Sequence, residues 1–331
     1  MRDYGLRGSR NGRRHDPEGD GLHGGAGGGA AGGGGTVVGS GTTTGSGATA
    51  GSGIVLRNVS LGYEQCRVIA DMSLTVPAHR VTVIIGANGC GKSTLLKGMA
   101  RILRPEEGVI ELEGADVHRT PSRTMAHRMA VLPQNPVAPS GLTVEELVAY
   151  GRFPHKTGFG NLDAQDYRII EESLATCALT EFAATPLEEL SGGQRQRAWI
   201  AMTICQRTPY LLLDEPTTYL DLAHQLDVLD LLTRLNRKEG RTVVMVLHEL
   251  NNAARVADHM IGMKEGAVVA EGDPCEVVTN ANLRTIFQID ARIEHDDRNG
   301  KPLLLAYEKL GSADCAGDED GDALPLGPVG A

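Results

Sequence analysis

The feature that most constrains the fold of this chain is the segment Gly86-Ala87-Asn88-Gly89-Cys90-Gly91-Lys92-Ser93, which fits the pattern G-x-x-x-x-G-K-[ST]. The apolar run Val81–Ile85 precedes it, and a helical pattern over Thr94–Leu103 follows it. Glycine lets the backbone curl and aim several N–H groups at a phosphate, and the following helix N-terminus adds its positive dipole end. A chance match in a glycine-rich chain is the alternative, which this strand–loop–helix context disfavours.

The segment therefore predicts a site for a nucleotide triphosphate. We expect Lys92 to contact the β- and γ-phosphates and Ser93 to ligate Mg²⁺. The other members of the expected phosphate-binding set are Gly86, Asn88, Gly89, Gly91 and Thr94.

Both ends of the chain differ in composition from its middle. Residues 1–53 hold 20 of the 43 glycines, and sequence rich in Gly, Ser and Thr cannot bury enough apolar surface to offset its ordering entropy. We expect this segment to be disordered. Residues 312–331 are rich in Asp, Gly and Pro and predict an acidic disordered tail. The folded part is expected to span residues 54–311.

Composition also excludes several classes of protein. No apolar run approaches the ~18 residues of a membrane-spanning helix, so we do not expect the chain to cross a bilayer. The formal charge of −10 argues against nucleic acid as a partner, since that function needs a basic face. The six cysteines are scattered without a CxxC pair, so neither a zinc site nor a disulfide framework is expected, and reduced cytosolic thiols are the default.

Hydrophobic patterning in the middle of the chain alternates between strand-like and helix-like segments. This alternation predicts an α/β fold with a mostly parallel sheet. Thr143 is the expected N-cap of a mainly helical stretch over residues 141–185. The other predicted helices are Thr94–Leu103, Gln196–Gln206 and Ala223–Lys238. The predicted strands are Ile54–Leu61, Val81–Ile85, Val109–Leu112, Met129–Leu132, Tyr210–Leu213 and Thr242–Leu247.

Two acids follow the apolar run Leu211-Leu212-Leu213. The carboxyl ends of strands in an α/β sheet are where ligands bind. We expect Asp214 to hold Mg²⁺ and Glu215 to act as the general base that orients the attacking water. A merely solvated strand end before Pro216 is the alternative, which the phosphate-binding segment disfavours.

A further motif resembles that of a known family. Leu190-Ser191-Gly192-Gly193-Gln194 is similar to the signature sequence of ATP-binding cassette (ABC) ATPases. The family's other motifs have counterparts in the expected order: Tyr63 resembles the A-loop aromatic that stacks on adenine, Gln134 the Q-loop glutamine, Tyr219-Leu220-Asp221 the D-loop, and His248 the switch histidine. The resemblance covers about residues 54–300.

The resemblance implies a fold and a chemistry. The implied fold is an α/β P-loop NTPase core with an antiparallel β subdomain and an inserted α-helical subdomain at about residues 135–190. The implied activity is ATP hydrolysis with Mg²⁺. The implied catalytic residues are Glu215, His248, Gln134 and Lys92, and the implied metal ligands are Ser93, Gln134 and Asp214.

The resemblance also implies partners. In a head-to-tail homodimer, two ATP molecules lie between the phosphate loop of one subunit and the signature motif of the other. Ser191, Gly193, Gln194 and Asp221 would then contact the nucleotide held by the partner. A transporter built this way needs separate membrane permease subunits and, for an importer, an extracytoplasmic solute-binding protein. The implied location is peripheral, at the cytoplasmic face of the cell membrane.

Four segments are similar to the iron–siderophore importer branch of the family, which also serves haem and cobalamin: Asn88–Thr94, Leu132-Pro133-Gln134, Val144–His155 and Asp214–Gln225. Ala87 stands where the branch usually has proline, and Glu249 where aspartate is commoner. The branch implies uptake of a ferric siderophore or related iron chelate. The alternatives are an ABC ATPase for another cargo (haem, cobalamin or an unrelated substrate) and a soluble ABC ATPase acting in DNA repair or on ribosomes.

Overall fold

The computed structural model describes residues 53–64, 66–156 and 161–311. The predicted disordered segments fall outside these residues except for Gly53, which is buried and whose carbonyl oxygen accepts a hydrogen bond from the Glu113 N–H at 2.9 Å. The fold therefore includes at least one residue of the segment predicted to be disordered. No helix in the described ranges is both long and apolar enough to span a membrane.

Strands and α-helices alternate along most of the described chain, as the patterning predicts. The strands are β1 (Ile54–Tyr63), β2 (Cys66–Val76), β3 (Val81–Gly86), β4 (Glu107–Leu112), β5 (Ala115–Asp116), β6 (Met129–Leu132), β7 (Tyr210–Asp214), β8 (Thr242–Val246), β9 (His259–Lys264), β10 (Ala267–Gly272), β11 (Ile289–His295) and β12 (Pro302–Lys309). The helices are α1 (Lys92–Met99), α2 (Ser122–Ala126), α3 (Val144–Tyr150), α4 (Ala164–Thr176), α5 (Gly192–Cys205), α6 (Leu222–Glu239), α7 (Leu250–Val256), α8 (Pro274–Val277) and α9 (Asn280–Phe287).

A six-stranded sheet with the order β10-β9-β3-β8-β7-β6 forms the centre of the fold. All neighbouring strands in it are parallel except β9 and β10. Alternate residues of its strands enter two separate cores: Leu211 and Leu213 pack on one face, and Leu212 and Val244 on the other. Strands covered on both faces are continuous apolar runs, which is why the sequence identifies them well.

A second, antiparallel sheet with the order β2-β1-β4-β5 covers the helix that follows the phosphate-binding segment. Helix α1 approaches β1 so closely that a Cβ atom at Gly98 would lie 2.6 Å from Leu61 Cδ1. This sheet confirms the expected antiparallel β subdomain. Its strand β2 is absent from the predicted elements because its outer face carries polar residues and its apolar alternation is irregular.

Helices α3, α4 and α5, which lie between β6 and β7 in the chain, pack on one another. Thr143 caps α3 as predicted, and its side chain forms a reciprocal capping box with Glu146. A buried ion pair fixes the group, since Arg152 Nε lies 2.8 Å from Asp166 Oδ1. The inserted α-helical part of the expected fold is thereby confirmed.

Two predicted helices differ from the structure by four residues at one end. Helix α1 ends at Met99 rather than Leu103, because Arg101 takes a left-handed backbone conformation with φ of 64°. Helix α5 begins at Gly192 rather than Gln196, because a capping box between Ser191 and Gln194 starts it earlier.

Candidate nucleotide site

The parallel strands β3, β8 and β7 end at one edge of the central sheet. In the register of this sheet, Val246 of β8 lies opposite both Ile84 of β3 and Asp214 of β7. Because the carboxyl ends of parallel strands meet, the segments that follow these three strands are brought together. They are the phosphate loop 86–93, Glu215 and His248.

The phosphate loop has the backbone that its sequence predicts. Gly86 and Gly91 have φ angles of 153° and 105°. A Cβ atom at Gly86 would lie 2.4 Å from the carbonyl oxygen of Met263, so a side chain at this position would not fit. Gly91 is the N-cap of α1, and no side chain caps that helix. The first N–H groups of α1 therefore remain available to an anion.

Lys92 lies against this loop. Its side chain is buried, and Nζ donates hydrogen bonds of 2.9 Å to the carbonyl oxygens of Gly86 and Ala87. These acceptors are uncharged, and among the described residues no carboxylate lies within ion-pair distance of Lys92, although Asp214 interacts with its charge at longer range. The ammonium group can therefore still bind a phosphate held by the loop.

Asp214 is the buried carboxylate of the site. Ser93 Oγ donates to Asp214 Oδ1 at 3.0 Å, while Asp214 Oδ2 is buried without a hydrogen-bond partner. Burial raises the pKa of this carboxyl group, although the Ser93 hydrogen bond lowers it. A buried carboxylate oxygen without a partner is costly and suits a cation. The hydroxyl and carboxylate oxygens present are ligands that Mg²⁺ prefers when phosphates complete its coordination, so these residues fit the metal.

Glu215 is held by three side chains. Its Oε1 lies 2.6 Å from His248 Nε2, Thr218 Oγ1 donates to its Oε2 at 3.2 Å, and Gln134 also hydrogen-bonds to the carboxylate. Burial raises the pKa of Glu215, but the hydrogen bonds from His248 and Gln134 lower it more, so it lies below its ordinary value. The group is therefore ionised at neutral pH and can accept a proton or orient a water molecule.

Most of these groups line one cavity of about 450 Å³, although Gly86 and Asp214 are not among its lining residues. The cavity unites most of the site residues that the sequence predicts. Its lining is Val68, Asn88, Gly89, Gly91, Lys92, Ser93, Thr94, Gln134, Glu215 and His248. Val68 was missed because it belongs to β2. The sequence analysis did not predict Thr218 as a site residue either. Its position three residues after Glu215, in the same turn, could have indicated the contact with that carboxylate.

Tyr63 is placed differently. It lies at the end of β1, is 43% exposed, and has Lys97 Nζ 5.8 Å from its ring centroid. It is not among the residues that line the cavity. Its stacking on adenine stays a prediction.

The signature residues form a second cluster away from this cavity. Gln194 N–H donates to Ser191 Oγ at 3.2 Å, and Ser191 N–H donates to Gln194 Oε1 at 2.9 Å. A Cβ atom at Gly193 would lie 3.1 Å from Leu220 Cδ2, so the start of α5 packs against the segment 219–221. Asp221 caps α6 by accepting from the His224 N–H at 2.9 Å. The cluster therefore places the N-terminus of α5 outside the set of residues that line the cavity.

A family model described as ABC transporter matches residues 69–218. The chain is 52% identical over 252 residues to the iron(3+)-hydroxamate import ATP-binding protein of Bacillus subtilis, a match that covers 76% of this chain and 94% of that protein. It is 42% identical over 247 residues to the ferric enterobactin transport ATP-binding protein of Escherichia coli, covering 75% and 91%.

Solved structures give the same picture. A structure described as an inward-facing metal-chelate type ABC transporter matches with a TM-score of 0.66 and 27% identity, over 76% of this chain and 96% of that one. A dimeric ATP-binding cassette in a post-hydrolysis state, bound to ADP and Pi, matches with a TM-score of 0.61 and 27% identity, over 66% and 98%.

Proposed function

This chain belongs to the ABC transporter ATP-binding family, and on that premise we propose that it is the ATP-hydrolysing subunit of an importer of ferric siderophores or related iron chelates. One observation carries the catalytic part of the proposal. Glu215, a carboxylate kept ionised by His248 and Gln134, lines the same cavity as the phosphate loop and its lysine, Lys92.

In the proposed mechanism, the loop amides and Lys92 bind the β- and γ-phosphates of ATP. Ser93 and Asp214, with Gln134, would hold Mg²⁺, which supplies neutralisation of the charge on the phosphate oxygens. Glu215 orients the attacking water and accepts its proton, and His248 keeps Glu215 in the position and protonation state that this step needs. When the cavity is covered, bulk water other than the attacking molecule is excluded from it.

A second copy of the chain is the proposed cover. Ser191 and Gly192 are exposed and lie outside the cavity of their own chain. The hydroxyl oxygen of Ser191 accepts from Gln194, which leaves its proton free to donate to a γ-phosphate of the partner. Tyr219 and Leu222, on either side of Asp221, are 74% and 68% exposed. Exposed apolar side chains of this size favour burial against a partner.

Permease subunits are the proposed membrane partners, contacted through the helical subdomain at about residues 135–190. The rings of Tyr150 and Phe153 lie 4.7 Å apart and are both partly exposed, which supports a contact surface there. The neighbouring Arg152 is buried against Asp166, and His155 hydrogen-bonds to the carbonyl oxygen of Gln206. Within the siderophore-like segment 152–155, Phe153 is therefore the residue best placed to face a partner.

The cargo proposal rests on the names of the relatives and the high identity to them. It includes an extracytoplasmic solute-binding protein as the source of the chelate and a peripheral position at the cytoplasmic face of the membrane. An ABC ATPase for haem or cobalamin is the second candidate, because the resemblance in the sequence extends to those importers.

The test compares uptake in a strain without this gene and in the same strain with the gene restored. Ferric hydroxamate, ferric enterobactin, haem and cobalamin are each supplied in labelled form. In the strain without the gene, we expect loss of uptake of at least one ferric siderophore. The wild-type gene should restore this uptake, and a Lys92→Ala variant should not. Loss confined to haem or cobalamin would reassign the cargo, and normal uptake of all four would overturn the import proposal.

A further inference from the structure

A buried hydrogen bond joins the signature helix α5 to the turn after Glu215. The side chain of Gln196, on the second turn of α5, is 7% exposed, and its Nε2 donates to the carbonyl oxygen of Pro216 at 3.0 Å. Pro216 is also buried. A buried carbonyl oxygen that loses its donor is costly, so this contact is expected to persist whenever the two segments are packed.

The backbone at Glu215 needs such support. Its φ angle is 52°, in the left-handed region that residues other than glycine rarely adopt. A residue held there persists only when the surrounding contacts determine its position. The hydrogen bond from Gln196 acts on the very next carbonyl group and therefore restrains the direction in which the Glu215 side chain leaves the chain.

The same loop is fixed at its other end. Gln225 Nε2, on α6, donates to the carbonyl oxygen of Leu220 at 3.1 Å. Asn252 Nδ2, on α7, donates to Gln225 Oε1 at 3.3 Å. The start of α5 also packs against this end, through Gly193 and Leu220. Because the Leu220 end is tied to α6 and α7, a displacement of α5 reaches Glu215 through the hydrogen bond to Pro216.

We infer that Gln196 is a positioning residue for ATP hydrolysis: through the Pro216 carbonyl it sets the geometry of Glu215 and passes movement of the signature motif on to it. The inference rests on the proposed roles of Glu215 and Ser191. Ser191 caps α5 and Gln196 lies on that helix, so a shift of Ser191 on contact with the partner's nucleotide moves Gln196 with it. The two ATP sites of a dimer would thus be coupled through one side chain.

The test uses the purified full-length chain and three variants. Gln196→Leu removes the donor at similar volume. Gln196→Glu places an acceptor there that can donate only when protonated. Gln206→Leu is the matched control, because Gln206 caps the other end of α5 and donates to the carbonyl oxygens of Ala126 and Met129, away from the cavity. Steady-state kcat, KM for ATP and the melting temperature are measured for each.

We expect Gln196→Leu to lower kcat about tenfold while KM for ATP changes less than about twofold, because the lost interaction serves the chemical step. Gln206→Leu should lower the melting temperature with kcat close to wild type. The ratio of kcat for Gln196→Glu to kcat for Gln196→Leu should rise as pH falls from about 8 to about 6, as the buried carboxyl gains a proton and donates again. If the leucine variant does not fold, the ratio of kcat for Gln196→Glu to kcat for the wild type carries the test, and it should rise over the same pH range.

Two outcomes would overturn the inference. One is a wild-type kcat in Gln196→Leu, and the other is a Gln196→Glu to Gln196→Leu ratio that does not change with pH. Glu215→Gln is assayed in parallel to separate this failure from failure of the proposed function. If Glu215→Gln hydrolyses ATP normally, the base assignment is wrong. If Glu215→Gln is inactive while the Gln196 variants are normal, only the positioning role is wrong.

Discussion

Glu215 Oε1 lies 2.6 Å from His248 Nε2, although the two residues follow different strands of the central sheet. Glu215 follows β7 and His248 follows β8, and these strands are parallel neighbours with Asp214 opposite Val246. A slip of one residue in this register would turn the side chains to opposite faces of the sheet. The contact on which the proposed chemistry depends is therefore a product of sheet register.

Replacing His248 should change the pH dependence of hydrolysis. Burial raises the pKa of Glu215, and the hydrogen bonds from His248 and Gln134 lower it more. Without His248 the pKa of Glu215 rises, so Glu215 becomes protonated at a higher pH than in the wild type. Activity should therefore be lost earlier when the pH is lowered. We expect the acid limb of kcat/KM to move to higher pH in His248→Ala. An unchanged acid limb would contradict the pairing, and His295→Ala, at an exposed histidine of β11, is the control.

Lys92→Ala should weaken ATP binding. Hydrogen bonds to charged groups contribute about 1.5–3 kcal/mol, so we expect a roughly 10- to 100-fold higher Kd for ATP and a comparable loss of turnover. Isothermal titration calorimetry measures the affinity. Lys238→Ala, at an exposed lysine in the last turn of α6, should bind ATP like the wild type. Equal affinity in both variants would refute the phosphate-loop assignment.

Asp214→Asn tests the metal site through stability as well as activity. Burial holds the pKa of Asp214 above its ordinary value, so this group contributes stability that is lost as pH rises through that pKa. The neutral amide avoids this cost. In metal-free buffer, the melting temperature of Asp214→Asn should therefore equal or exceed that of the wild type.

With ATP present, Mg²⁺ should raise the melting temperature of the wild type but not of Asp214→Asn. The turnover of Asp214→Asn should be about 100-fold lower than that of the wild type. The control is Asp227→Asn, at an exposed position of α6. Full stabilisation of Asp214→Asn by Mg²⁺ would exclude Asp214 as a ligand.

The sequence predicts the elements that carry local signals. The phosphate loop, the strand before Asp214 and the cap at Thr143 each depend on residues that are neighbours in the chain. The sequence does not predict strand β2 or the position of its residue Val68. The apolar pattern of β2 is irregular, and the contact of Val68 with Gly91 depends on tertiary packing. The sequence also does not predict the hydrogen bond from Gln196 to Pro216, since nothing in the spacing of 20 residues indicates that the two segments are in contact.

Removal of residues 1–52 should leave ATPase activity close to wild type and shift the melting temperature by less than about 2 °C, because a segment of that composition cannot bury a core. The truncation keeps Gly53, whose carbonyl is bonded to Glu113. Differential scanning calorimetry of both chains gives the comparison. A large fall in melting temperature would mean that the segment packs on the fold.

We propose that Glu215 activates water for ATP hydrolysis between two copies of this chain. Glu215→Gln tests this role directly, measured for phosphate release and for dimer formation with Mg-ATP by analytical ultracentrifugation. We expect ATP binding close to wild type, phosphate release at least about 100-fold slower, and a stable ATP-bound dimer. Phosphate release at the wild-type rate, or a chain that stays monomeric with ATP bound, would contradict it.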